Sequence, residues 1–346
     1  MKLRVGIVGL GDSWENGHRP ALRTLSDRFE VRCVCCEVAH LADQAARDFH
    51  VQPVDGFRAL CARPDVDAVL ILSPQWYGPL PILAACENGK SVYCGAALDI
   101  IDPAEADFVK QKVEESGIAF MAEFPRRLAP ATLRLKELIV TRLGQPKLLF
   151  CHRRSSIEPG SAVRRPQKHC PTIQREMIEQ VDWCRYVAGT DPTSVIGIHH
   201  GSVTENDGED YQMMSLDFSP AGQPGTGPMA QISCGRYMPG SWPEAVAFRP
   251  PAALQVCCER GVAFVDLPST VTYFDAAGRH MESLDSERPV AERMLMHFYR
   301  AVTSLVRKVN DLEDAHTALS IVLAARESFA TGKRVAISPL PESRES

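Results

Sequence analysis

The chain has 346 residues, 45% of them hydrophobic and 23% charged, with a formal net charge of −5. This reads as a soluble globular protein with room for two cored domains, and the negative balance speaks against nucleic acid as the main partner. No run approaches the ~18 apolar residues of a membrane span, and the N-terminus enters a strand pattern at once, without a signal-peptide sequence.

Leu3, Val5, Ile7 and Val8 form a short apolar run rich in β-branched residues, which predicts a buried strand. Gly9 and Gly11 follow, then a polar turn, then Pro20-Ala21-Leu22 opening a helical pattern. A strand running through a glycine turn into a helix suits a pyrophosphate, because the glycines admit close backbone approach and the helix start offers unpaired N–H groups. The fingerprint G-x-G-x-x-G is incomplete, since Trp14 stands at the third glycine. A plain glycine turn after a first strand is the alternative.

Phe29–Cys36 predicts a second strand and His40–Phe49 a helix. Glu37, at the end of that strand, is placed to accept hydrogen bonds from an adenosine ribose, or is simply a solvated strand end. Val66–Leu72 and Ser91–Cys94 predict further strands, and Pro79–Asn88 a helix with Gly89 at its cap. Asp102–Ser116 predicts a helix closed by Gly117, and Ile118–Ala122 a strand. Strands alternating with helices specify an α/β, Rossmann-type doubly wound parallel sheet.

After about residue 123 the pattern changes. Ala129–Val140 is helical, Lys147–His152 a strand, Arg153–His169 a polar stretch, and Thr172–Val187 a helix before Gly189. Six strands follow between Ser194 and Phe274, with loops at Ser219–Pro228 and Pro239–Pro251, and two helices close the chain, Pro289–Val306 and Leu312–Ala330. Short links between strands imply an α+β domain with a largely antiparallel sheet. The expected division is 1–123 and 124–346, with the helices of 289–330 placed to pack back on the first domain.

The twelve cysteines are dispersed among apparent strands and helices. Cys33 and Cys36 have C-x-x-C spacing, but a strand sends them to opposite faces and no second pair completes a zinc set. Buried free thiols, a cytoplasmic setting and no metal are the expectation.

Several signposts along the chain come in a telling order. They are VGIVGLG with His18-x-Pro20-Ala21-Leu22, Leu72-Ser73-Pro74-Gln75, AACENGKSVYC at Ala84–Cys94, and Phe124-Pro125-Arg126-Arg127. Asp182-Trp183-Cys184-Arg185-Tyr186, Asp314-Ala315 and Ser328-Phe329-Ala330-Thr331-Gly332 continue them. In order and spacing the chain resembles the Gfo/Idh/MocA family of NAD(P)-dependent oxidoreductases, which includes glucose–fructose oxidoreductase and inositol dehydrogenase. The resemblance implies NAD or NADP as cofactor and a small-molecule substrate such as a sugar or polyol. It also implies a homodimer or homotetramer. It places the cofactor along Gly9, Gly11, Asp12, Ser13 and Trp14, at Glu37, and along Ser73, Pro74, Gln75 and Tyr77. Gly95, Ala96 and Glu123 complete that side.

Two departures bear on chemistry. The family strand after ENGK leads into Glu-Lys-Pro, whose lysine sits beside the nicotinamide, whereas this chain has Gly95-Ala96-Ala97. The family helix carries Asp, then His four residues on, then Asp. Aligning Asp182 with the last puts Arg175 at the first and Glu179 at the His. Arg175 and Glu179 share a helix face, as catalytic candidates with Asp182 or as a plain intrahelical ion pair. Arg126, Arg153, Arg154 and Tyr186 are candidate substrate contacts. Arg153, Arg154, Arg164, Arg165, Lys168 and His169 together suit a carboxylate or phosphate, such as an anionic sugar derivative, or form a solvated loop.

Three functions stay open at this point. One is a nucleotide-binding oxidoreductase with a non-standard site. Another is a catalytically inactive ligand-binding or partner subunit. The third is an NAD-assisted lyase or glycosidase activity.

Overall fold

In the computed structural model the described residues are 2–11, 13–73, 77–95, 102–157, 172–201, 210–248, 252–304 and 311–337. They divide into two compact units, residues 1–128 with 288–317, and residues 129–287 with 318–346.

The first unit is built on six strands: β1 (Leu3–Val8), β2 (Phe29–Cys35), β3 (Gln52–Pro53), β4 (Ala68–Ile71), β5 (Ser91–Cys94) and β6 (Phe120–Ala122). Their order is β3-β2-β1-β4-β5-β6, and every neighbouring pair is parallel. The chain leaves β1 toward β2 and β3, then returns to β4 on the other side, so the order reverses between β1 and β4. All four residues of β4 are buried, as a parallel strand covered on both faces requires. The helix Val290–Thr303 sets Met294, Leu295 and Phe298 into the same core as Leu3, Val5, Ile7 and Tyr93. Their spacing is that of one helix face. The helix Pro103–Ser116 starts where Asp102 accepts the Ala104 N–H at 2.9 Å and ends at Gly117, whose φ of 61° is left-handed.

The second unit carries nine strands. They are β7 (Pro146–Ile157), β8 (Ser194–Gly201), β9 (Asp210–Asp217), β10 (Met229–Pro239), β11 (Leu254–Cys258), β12 (Val262–Asp266), β13 (Thr270–Asp275), β14 (Gly278–Ser283) and β15 (Val335–Ala336). The order is β14-β13-β12-β11-β7-β10-β9-β8-β15. All pairs are antiparallel except β7 with β10.

That parallel pair corrects the sequence reading at one place that matters. Arg153 and Arg154 were expected in a polar stretch, but β7 continues past His152 to Ile157 because β10 supplies a ladder partner for each residue from Leu148 on. Strand geometry then sends Arg153 and Arg154 to opposite faces. Arg164, Arg165, Lys168 and His169 lie outside the described residues. The Pro-rich segment expected as loop contains a one-turn helix, Pro243–Ala247. β14 and the short helix Phe57–Cys61 were not anticipated.

The apolar runs of β11 and β12 alternate in burial. Leu254, Val256, Ala263 and Val265 are fully buried, while Val262, Phe264 and Cys257 are half-buried on the opposite face. Eleven cysteines fall among the described residues and all are free thiols. Burial pushes Cys33 up to about 11 and Cys61 up to about 12, which keeps them protonated and unreactive near neutral pH.

Candidate functional site

The carboxyl ends of the parallel strands carry the candidate nucleotide site, and its shape follows from three glycines. Gly9 has φ +72°, and a β-carbon there would lie 2.4 Å from Cβ of Ser73. A β-carbon at Gly11 would lie 2.1 Å from the Leu72 carbonyl oxygen. The end of β4 is thus pressed against the turn after β1, and no side chain fits between them. The Gly9 N–H bonds the Cys35 carbonyl at 2.7 Å, which ties the turn to the end of β2 as well. This is a cradle that a β-carbon would fill, at the point where the strand order reverses, and it fits a dinucleotide pyrophosphate.

Trp14, at the third glycine position, turns its ring into the core, 4% exposed and 6.0 Å from the Phe49 ring. The chain accommodates it by opening residues Trp14–His18 into a wide π-type turn, in which the Ser13 carbonyl accepts from both Gly17 and His18. The regular helix begins only at Arg19. Glu37 is exposed just beyond β2, with the Cys36 thiol 3.5 Å from its carboxylate. Ser73 is buried. Tyr77 is half-buried edge-on to Phe57, and burial, with Cys35 and Glu37 nearby, pushes its phenol far up. Asp12, Pro74, Gln75 and Ala96 lie outside the described residues.

Glu123, just past β6, does more than line the site. Its Oε1 is 3.1 Å from His18 Nε2, and the Tyr93 hydroxyl donates to the same carboxylate. His18 Nε2 is also 3.4 Å from the Tyr93 oxygen, and the two rings meet edge to face at 5.9 Å. His18 is 2% exposed and Tyr93 fully buried, with the Tyr93 phenol pushed well up by burial. The other ring nitrogen, His18 Nδ1, is buried without a partner among the described residues. Such an atom costs about 1–3 kcal/mol. A β-carbon at Gly95 would lie 2.9 Å from Glu123 Oε2, so the missing side chain at the end of β5 makes room for this carboxylate. Sequence reading marked Glu123 but missed His18 and Tyr93 as its partners. A histidine two residues before a helix-opening proline, and a lone tyrosine in the apolar run SVYC, were the available signals.

In the second unit Arg175 and Glu179 lie one turn apart and half-buried on the helix Thr172–Ala188, and both are engaged by other groups. Asp182 is 1% exposed, 3.9 Å from the Arg185 guanidinium, whose Nε holds Asp191 at 2.7 Å. Tyr186 is half-buried, with Lys136 5.3 Å from its ring and bonded to its carbonyl at 3.0 Å. Arg153 stands 3.7 Å from Glu176, and Arg154 donates to the Phe248 carbonyl at 3.0 Å. Arg126, in the one-turn helix Pro125–Leu128 of the first unit, is half-buried.

With the geometry in place, comparison with known proteins identifies the nucleotide domain. Residues 3–124 match the GFO_IDH_MocA family, described as "Oxidoreductase family, NAD-binding Rossmann fold". These residues belong to the Gfo/Idh/MocA family. Among curated relatives of this chain, a scyllo-inositol 2-dehydrogenase (NAD(+)) of Bacillus subtilis is 28% identical over 209 residues, 59% of each chain. The match thus spans about three-fifths of that relative's length. In fold, an oxidoreductase from Thermotoga maritima superposes over 97% of this chain and 98% of its own, with TM-score 0.79 at 18% identity. A levoglucosan dehydrogenase in complex with NADH and levoglucosan superposes over 98% of this chain and all of its own (100%), with TM-score 0.80 at 17% identity. The fold of these two solved proteins is thus shared over nearly the whole chain, and among the described residues no helix is long and apolar enough to cross a membrane.

Proposed function

We propose that this protein binds a nicotinamide dinucleotide in its first unit and acts as an oxidoreductase on a sugar, polyol or related small molecule, with a site that departs from the family pattern. The observation that carries the reading is the Gly9–Gly11 cradle packed on Leu72–Ser73 at the switch in strand order. Gly9, Gly11 and the turn through Ser13 hold the pyrophosphate, and Glu37 accepts from the adenosine ribose. When bound, the nicotinamide supplies the hydride chemistry. On the protein's side, Glu123 is fixed in place by His18 and Tyr93 at the ends of β5 and β6. Calorimetry with NAD(H) and NADP(H) tests the reading: a micromolar dissociation constant for at least one of them is expected. No heat and no thermal shift at millimolar ligand would remove the nucleotide from this account.

Ala96 favours a second reading. It replaces the lysine of the family pattern, and a chain that kept the fold while losing hydride transfer would serve as a ligand-binding or partner subunit. Nucleotide binding without turnover of any sugar or polyol would favour it.

We also propose that the protein self-associates through the face of the second-unit sheet that carries Leu148 and Phe274. Leu148, Ile196, Ile198 and Phe274 are each 40–47% exposed and Met281 65%. Register puts Phe274, Val262, Cys257 and Leu148 in one row across four strands. Contiguous apolar surface of this kind marks an interface. Light scattering at micromolar concentration should give a dimer or larger, and Leu148→Glu with Ile198→Glu should give a monomer. A wild-type monomer would count against this face.

A further inference from the structure

We propose that Glu123, held by His18 and Tyr93, is the charged group facing the nicotinamide end of the bound dinucleotide, and that it makes the site prefer the oxidised, cationic ring. The inference rests on the nucleotide-binding reading above. Strand order makes it directional. The turn after β1 takes the pyrophosphate at the switch, and Glu37 ends β2 on one side of it, so the second nucleoside extends over the ends of β4, β5 and β6. Along that side the described ends carry Leu72, Ser73, Gly95 and Glu123, and Glu123 is the ionisable group among them.

The carboxylate is built in rather than dangling. Groups from the π-type turn and β5 converge on it, with His18 Nε2 at 3.1 Å and the Tyr93 hydroxyl donating, and its side chain keeps 17% exposure. With its proton on Nε2 the imidazole donates to Glu123, and the carboxylate is the group that brings negative charge to this end of the site. Gly95 leaves the space through which Oε2 reaches over the end of β5. The family lysine at position 96 would oppose that charge, whereas Ala96 does not. NAD+ carries a positive nicotinamide ring and NADH a neutral one. An anion in this partly dried setting therefore acts on one redox form only.

The test is calorimetry of NAD+ and NADH binding to the full chain at one fixed pH. Glu123→Gln should narrow the NAD+ over NADH affinity ratio about tenfold, or ~1.4 kcal/mol. Glu123→Asp, which keeps the charge, should hold the ratio within about threefold. Ala96→Lys, one residue past Gly95 in sequence, adds a cation and should narrow the ratio as Glu123→Gln does. This keeps the test open should Glu123→Gln not fold. A ratio unchanged within twofold in Ala96→Lys and Glu123→Gln overturns the proposal. So does a shift in Glu123→Asp as large as in Glu123→Gln, because packing would then be its cause. Binding of neither nucleotide by the wild type would instead show that the nucleotide reading has failed, and this inference falls with it.

Discussion

Gly11→Ala should lower NAD(H) affinity by about 100-fold, or ~2.8 kcal/mol, while Gly17→Ala six residues on leaves it nearly unchanged. The contrast comes from what each new β-carbon meets. At Gly11 it would lie 2.1 Å from the Leu72 carbonyl oxygen, a backbone atom fixed because the Leu72 N–H bonds the Val8 carbonyl at 3.0 Å. Relief requires the turn to lift off β4, which moves the N–H groups that would face a pyrophosphate. Overpacking of this kind also destabilises by about 1–3 kcal/mol. At Gly17 the nearest atoms are β-carbons of Ser13 and Ala291 at 3.6 Å, ordinary contact distance. Urea unfolding and calorimetry on both variants decide the matter. Equal affinities would mean that the turn after β1 is not where the nucleotide binds.

The same turn shows what the sequence could and could not reveal. Gly9 and Gly11 after an apolar run indicated a strand–turn–helix unit, because backbone conformation is a local property. Their reason for being glycine was not local, since it comes from Leu72 and Ser73 at the end of a strand more than 60 residues away. Trp14 looked like a defect in the fingerprint. Its burial against Phe49 depends on a helix that follows β2, and the wide turn through His18 is the backbone's answer to that packing. Glu123 was legible only by position, because its partners lie on β5 and before the first helix. β7 was read too short for a similar reason: Arg153-Arg154-Ser155-Ser156 has no strand signature, and only the parallel partner β10 makes it one. Alternation along β11 and β12 was hidden because both faces are apolar, one fully buried and one half-buried.

Common sugars and inositols should be oxidised by the wild-type protein at roughly 0.1 s⁻¹ or less, against a typical ~10 s⁻¹ for enzymes. A positioned base for the hydroxyl proton is worth ~10²–10⁴-fold. A cation beside a developing alkoxide adds stabilisation on the scale of an oxyanion-hole donor, ~3–4 kcal/mol. Ala96 supplies neither, and Glu179, proposed at the family's histidine position, is a carboxylate rather than an imidazole. Restoring the lysine alone should help little, because a lysine needs a partner to orient it. The triple variant Ala96→Lys, Arg175→Asp, Glu179→His should raise NADH formation from at least one sugar or inositol by about 100-fold, the lower end of what a positioned base contributes. Robust turnover by the wild type, abolished in Glu179→Gln with nucleotide affinity unchanged, would make Glu179 the base and overturn this expectation. Turnover absent from both proteins while NAD(H) still binds would favour the binding-subunit reading, because the fold would then hold a nucleotide without the proton chemistry to use it.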